Sequence, residues 1–125
     1  MKRGDVSPKL VDAIHFYKVD DLDAVRRFYG DILGLTLYKD QGTCLIYSLD
    51  GHGRIGFCTH HPKRNNDATC ITFVYESKCD VDAMHTTLKT RIDCVGTPSL
   101  NERFKIYHFF AEDFNGLTVE FQVFL

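Results

Sequence analysis

The 125 residues carry 44% hydrophobic and 26% charged side chains with a formal net charge of −2. This balance fits one domain with one core and argues against disorder. The 15 Lys and Arg are scattered rather than striped, which excludes an electrostatic footprint for nucleic acid. No apolar run is long enough to span a bilayer. The charged start, Met1-Lys2-Arg3-Gly4-Asp5, has no apolar stretch behind it, so no signal peptide is expected and a cytoplasmic protein is the default. Five cysteines, an odd number with no C-x-x-C spacing, are expected to be reduced thiols.

Residues 1–10 are polar and are expected to form a tail. Val11–Val19 is rich in Ile, Phe, Tyr and Val and predicts a strand. Asp20-Asp21 can cap a helix, with Asp23 in its first turn at the positive end of the dipole. Leu22, Val25, Phe28 or Tyr29, and Ile32 or Leu33 give one apolar stripe, which Gly34 is placed to end. Three strands are predicted next, near Leu35–Asp40, Thr43–Ser48 and Arg54–Thr59. Gln41-Gly42 and Gly51-His52-Gly53 supply the turns. The polar segment His60–Asp67 reads as a linker.

The pattern then restarts. In Cys70–Tyr75, Ile71, Phe73 and Tyr75 alternate against Cys70, Thr72 and Val74. Asp80 can cap a second helix with apolar positions Val81, Met84 and Leu88. Irregular chain around Gly96-Thr97-Pro98 precedes strands near Lys105–Glu112 and Leu117–Phe124, joined at Asn115-Gly116, the sharpest hairpin signal in the chain. The expectation is an α+β fold of two βαβββ modules, residues 11–61 and 68–125. Each would form a curved sheet with a helix on one face, and the two together would shelter a cavity for a small molecule.

Two stretches carry a family resemblance. Val19-Asp20-Asp21-Leu22-Asp23-Ala24-Val25-Arg26-Arg27-Phe28-Tyr29-Gly30-Asp31-Ile32-Leu33-Gly34-Leu35 resembles the first strand–helix junction of the vicinal oxygen chelate superfamily. This group includes glyoxalase I, bleomycin-resistance proteins and extradiol dioxygenases. Phe110-Ala111-Glu112-Asp113-Phe114-Asn115-Gly116-Leu117-Thr118-Val119-Glu120-Phe121 resembles its last hairpin, with Phe114 in place of the usual Pro. The fold hosts several chemistries, so the resemblance speaks to fold more than to function.

In catalytic members, the first and last strands of each half supply ligands to a divalent metal. The resemblance puts Ile14, Gly56, Cys70 and Glu120 at those positions. Ile14 and Gly56 offer no donor, leaving one carboxylate and one thiol. A one-residue slip would instead turn His15 inward, and His15, Cys70 and Glu120 would then make a soft metal site. Glu120, as catalytic base, metal ligand or carboxylate lining a wet cleft, is the central candidate. Lys18 matches a position whose cation holds a substrate carboxylate in glyoxalase-like members. Cys58 and Cys70 are candidate pocket residues, although a small buried side chain is the preferred reading of each.

A two-residue Asn-Gly turn would pair Ala111 with Glu120. Tyr107 and Phe109 would then lie on the Glu120 face, as candidate cavity walls with Phe16, and His108 on the helix side. His52, His60, His61 and His85 lack metal-motif spacing. Three functions follow as expectations. The first is a bleomycin-resistance-like homodimer that binds a small aromatic or anionic molecule without chemistry. The second is a metal-dependent lyase, isomerase or dioxygenase with Glu120 as ligand or base. The third is a fold retained for interaction alone.

Overall fold

The computed structural model describes residues 11–60 and 69–125. The polar tail 1–10, most of the linker and His61 lie outside the described residues. Two four-stranded sheets carry the fold. In the first, β1 (Ile14–Lys18) runs parallel to β4 (Arg54–Cys58), which continues antiparallel to β3 (Cys44–Ser48) and β2 (Thr36–Asp40), in the order β1-β4-β3-β2. The second repeats this plan with β5 (Ile71–Val74), β8 (Thr118–Phe124), β7 (Ile106–Glu112) and β6 (Ser99–Asn101), in the order β5-β8-β7-β6. β6 falls where the sequence predicted irregular chain. None of Ser99, Leu100 and Asn101 is a β-branched or aromatic strand former, and pairing to β7 holds the segment.

Asp21 caps the first helix, accepting from the backbone N–H groups of Asp23 at 2.9 Å and Ala24 at 3.2 Å. That helix, α1 (Leu22–Val25), passes into a π-helical segment, Arg26–Ile32. The wider winding lets the adjacent Phe28 and Tyr29 both bury completely, which explains why the stripe was ambiguous at that point. Gly34, at φ +73°, ends the helix as expected. The second helix, α2 (Lys78–Lys89), begins earlier than predicted. Ser77 is its N-cap, accepting from Asp80 N–H at 3.2 Å while its hydroxyl donates to the Asp80 carboxylate at 3.0 Å. Asp80, at the third helical position, thus engages its cap through both its backbone N–H and its side chain.

Each helix covers one face of its own sheet. On the first, Leu45, Tyr47, Ile55 and Phe57 turn toward α1; on the second, Phe109, Val119 and Phe121 turn toward α2, and all join one core that runs through both modules. A polar clamp ties the modules together. Buried Tyr29 donates from its hydroxyl to Asp113 Oδ2 at 2.7 Å. The Asn115 side chain accepts from the Asp20 and Asp21 N–H groups and donates to the Asp21 carbonyl. Phe114 meets Phe28 edge-on and lies beneath the Arg27 guanidinium. Among the described residues no helix is long and apolar enough to cross a membrane.

Candidate functional site

The faces turned away from the helices hold the candidate chemistry. In the first sheet, strict alternation sets Ile14, Phe16 and Lys18 on this open face beside Gly56 and Cys58. His15 shares the opposite face with Tyr17, whose ring stacks on Phe57 in the core. No bulge interrupts β1 against β4. The slip that would bring His15 inward is therefore absent, and the proposed site of His15, Cys70 and Glu120 does not assemble.

Phe16 decides what the Gly56 position can hold. A Cβ built on Gly56 would lie 2.5 Å from Phe16 Cε1 and 2.6 Å from Cδ1. The ring thus fills the space that a side chain from residue 56 would need. Beside it, Phe16, Lys18 and Cys58 meet Gln41, Cys44 and His60 around a hollow of about 270 Å³. Three of the residues expected at a pocket are thereby brought together.

Cys58 is not a thiol here. A disulfide joins it to Cys44, against the expectation of five reduced thiols. The pair lies directly across the β3–β4 ladder. Thr59 N–H donates to the Thr43 carbonyl one position along, so Cys44 and Cys58 are a non-hydrogen-bonded pair, the arrangement in which facing side chains come closest. Cys70, Cys79 and Cys94 remain as thiols.

In the second sheet, Glu120 faces away from α2, as expected. Thr72 Oγ1 donates to Glu120 Oε1 at 2.8 Å, and His108 Nδ1 lies 2.6 Å from Oε2. The His108 and Glu120 side chains are only 12% and 13% exposed. His108 therefore shares the Glu120 face, and its assignment to the helix side is corrected. The turn is the cause. Asp113–Gly116 closes with Gly116 N–H donating to the Asp113 carbonyl at 3.1 Å, and only Gly116, at φ +81°, is left-handed there. The loop is longer than a two-residue hairpin, so Phe110, not Ala111, pairs with Glu120. A one-residue shift exchanges the two faces of a strand.

The same shift removes Tyr107 and Phe109 from the cavity wall. Phe109 stacks on Phe121 and meets His85 of α2, and Tyr107 donates to Asp82 Oδ1 at 2.5 Å. Cys70 lies near this site, its sulfur 3.8 Å from Thr72 Oγ1. Burial around the sulfur pushes its thiol above the ordinary value, the Glu120 charge adds to that, and the Thr72 contact opposes it. A thiol held in its protonated form is a poor nucleophile at neutral pH.

The residues at the family's four metal positions thus do not suit a divalent ion. Ile14 has no donor, the Phe16 ring occupies the place of a residue-56 side chain, and Glu120 already engages Thr72 and His108, which leaves the Cys70 thiol as the remaining donor.

The model of the Glyoxalase/Bleomycin resistance protein/Dioxygenase superfamily matches residues 13–121. The chain belongs to this superfamily. Solved structures share its fold. An integron cassette protein from the mobile metagenome of the Halifax Harbour sewage outfall is 22% identical, with a TM-score of 0.75 over 90% of this chain and 97% of that one. Lactoylglutathione lyase from Agrobacterium tumefaciens is 21% identical, with a TM-score of 0.72 over 94% and 96%. The fosfomycin resistance protein FosX from Listeria monocytogenes is 14% identical, with a TM-score of 0.75 over 96% of each chain. No curated protein matches the chain in sequence. Identities this low carry the fold and not the activity.

Proposed function

We propose that the protein binds a small aromatic or anionic molecule on the open face of its first sheet and holds it without chemistry. The observation that supports this is the Phe16 ring over Gly56, where the family's metal-binding members place a donor. Phe16 offers an apolar surface for a planar group, Lys18 a cation for a carboxylate, and Gln41 a neutral polar group at the rim of the hollow. The proposal includes a homodimer. Val74, Phe110 and Phe124 leave the open face of the second sheet 57%, 47% and 64% exposed, an apolar patch that a second copy would cover.

Calorimetric titration with an aromatic carboxylate such as benzoate or a naphthoate tests the binding. Wild-type protein is expected to bind one molecule per chain. Phe16→Ala and Lys18→Met should each weaken binding by about tenfold, the equivalent of about 1.4 kcal/mol. Equal affinity in all three proteins would refute the site, and sedimentation equilibrium of the wild type tests the dimer.

A further inference from the structure

The hollow beside Phe16 has a second property that ligand binding does not use. The two Sγ atoms of Cys44 and Cys58 and a ring nitrogen of His60 all lie within 4.8 Å of one another. Cys44 Sγ stands 3.5 Å from His60 Nδ1. In a tetrahedral zinc centre, with Zn–S of about 2.3 Å and Zn–N of about 2.0–2.1 Å, the S···N edge is about 3.5 Å. One edge of a coordination tetrahedron is therefore already in place. The S···S edge of such a centre is about 3.8 Å, longer than any disulfide, so the ion and the disulfide exclude each other.

The backbone suits both states. Cys44 and Cys58 face each other with Cα atoms 4.2 Å apart, and register on both sides of the pair fixes them there. Opening the sulfurs needs only rotation about their side-chain bonds. His60 follows two residues after Cys58, just past the end of β4, and Thr43 Oγ1 lies 3.3 Å from its Nδ1. Two thiolates and an imidazole are a soft donor set that selects zinc over magnesium or calcium. Three protein ligands leave a fourth position, which the hollow lined by Phe16, Lys18 and Gln41 would keep accessible. This group lies apart from the family's metal positions at Ile14, Gly56, Cys70 and Glu120.

We propose that reduced Cys44 and Cys58, with His60, form a zinc site, and that the disulfide is its oxidised, metal-free state. Opening requires a thiol-class reductant. Its thiolate attacks one cysteine sulfur, and a second thiolate resolves the mixed disulfide. The cysteines gain two electrons and two protons, and the reductant leaves as its own disulfide. Zinc then displaces the two thiol protons to solvent. Reoxidation by a disulfide-class oxidant reverses the electron flow and expels the ion.

The test uses the whole chain, reduced under argon with a water-soluble phosphine that leaves as its oxide, and cobalt(II) alone as probe. One cobalt per chain is expected, with intense thiolate-to-metal absorption and the strong visible bands of a tetrahedral ion, displaced by one equivalent of zinc. The oxidised wild type should show neither. Cys44→Ser and Cys58→Ser should abolish the thiolate band, and Cys79→Ser should leave it intact. His60→Ala changes an exposed residue beyond the strand end, so the fold should survive. It should weaken cobalt binding by at least about tenfold, since even residues that merely orient ligands contribute that much. The proposal is overturned if the reduced wild type takes up no more cobalt than the oxidised form, or if His60→Ala titrates like the wild type. Aromatic carboxylate binding measured on the oxidised, zinc-free protein stands or falls separately.

Discussion

Replacing Tyr29 with Phe isolates one hydrogen bond between the two modules. The ring is fully buried and its hydroxyl donates to Asp113 Oδ2 at 2.7 Å, while Asp113 Oδ1 accepts from the N–H groups of Asn115 and Leu117, each at 2.8 Å. The substitution keeps the ring stack on Phe57 and removes only the donor. A hydrogen bond to a charged group contributes about 1.5–3 kcal/mol. Unfolding entropy of about 2.1 cal/mol/K per residue, taken over 125 residues, converts this to a fall in Tm of roughly 6–11 °C. Urea unfolding followed by circular dichroism should show a lower midpoint at unchanged slope. Alkaline pH gives an independent readout. Burial, first, and then the Asp113 charge and hydrogen bond hold the Tyr29 phenol well above its ordinary value of 10.0. The folded state therefore favours the neutral phenol. That contribution is complete below pH 10 and is lost as pH rises toward the folded value. Tyr29→Phe should flatten this alkaline decline, leaving the parts due to Tyr75, which burial raises to about 12, and to Tyr17, Tyr47 and Tyr107, which are raised as well. A loss below about 0.5 kcal/mol at pH 7, the scatter of ordinary surface substitutions, would show that the clamp does not act through this bond.

Further substitutions separate pocket from scaffold. Gly56→Ala must move the Phe16 ring, which is 46% exposed and free to swing outward. It should cost less than about 1.5 kcal/mol yet change carboxylate affinity, and ring-proton chemical shifts of Phe16 would report the displacement. An unshifted ring would contradict the contact. His108→Ala removes the partner 2.6 Å from Glu120 Oε2 in a site only 13% exposed, and a loss of about 1–3 kcal/mol is expected in thermal unfolding. Glu120→Gln should recover part of that loss in the His108→Ala background. Ser77→Ala deletes the α2 cap and should destabilise by about 1 kcal/mol, with carboxylate binding unchanged by calorimetry.

The repeat was legible because its signals are local. The cap of α1, the stripes of α1 and α2 and the alternation in β1, β5 and β8 each sit within a few residues, whereas the α2 cap was read at Asp80 and lies at Ser77. The open-face placement of Ile14, Phe16, Lys18 and Glu120 follows from that alternation. What escaped depends on register between strands. Asn115-Gly116 correctly marked the hairpin, but Asp113 began its turn, with Oδ1 accepting from Asn115 and Leu117 N–H. That displaced β7 by one position and exchanged His108 for Tyr107 and Phe109. The Asp two residues before Asn115 was the available signal, since Asp readily caps such turns. Cys44 opposite Cys58 is likewise a register fact. Counting outward from the Gly51-His52-Gly53 turn, Ser48 faces Arg54 and the ladder carries Cys44 to Cys58.

The two open faces have diverged in opposite directions from one plan. The second sheet keeps a carboxylate at the equivalent strand position, but Thr72 and His108 enclose it in a half-buried network, where its charge holds structure as much as it offers reactivity. The first sheet has a glycine there, and an aromatic ring takes the vacated space. Sulfur and imidazole stand two and four residues further along the same chain, at Cys58 and His60, with Cys44 opposite. Two residues along a strand return to the same face. A donor lost at Gly56 can thus be replaced at Cys58 without rebuilding the sheet, although the centre moves by one pleat toward the strand end. The substrate geometry of a metal enzyme centred at the original position would not survive that displacement, whereas a pocket that grips a ring through Phe16 and a charge through Lys18 tolerates it. On the proposed reading the first sheet binds rather than turns over its ligand, and the redox state of one cysteine pair is the variable most able to change what the pocket would hold.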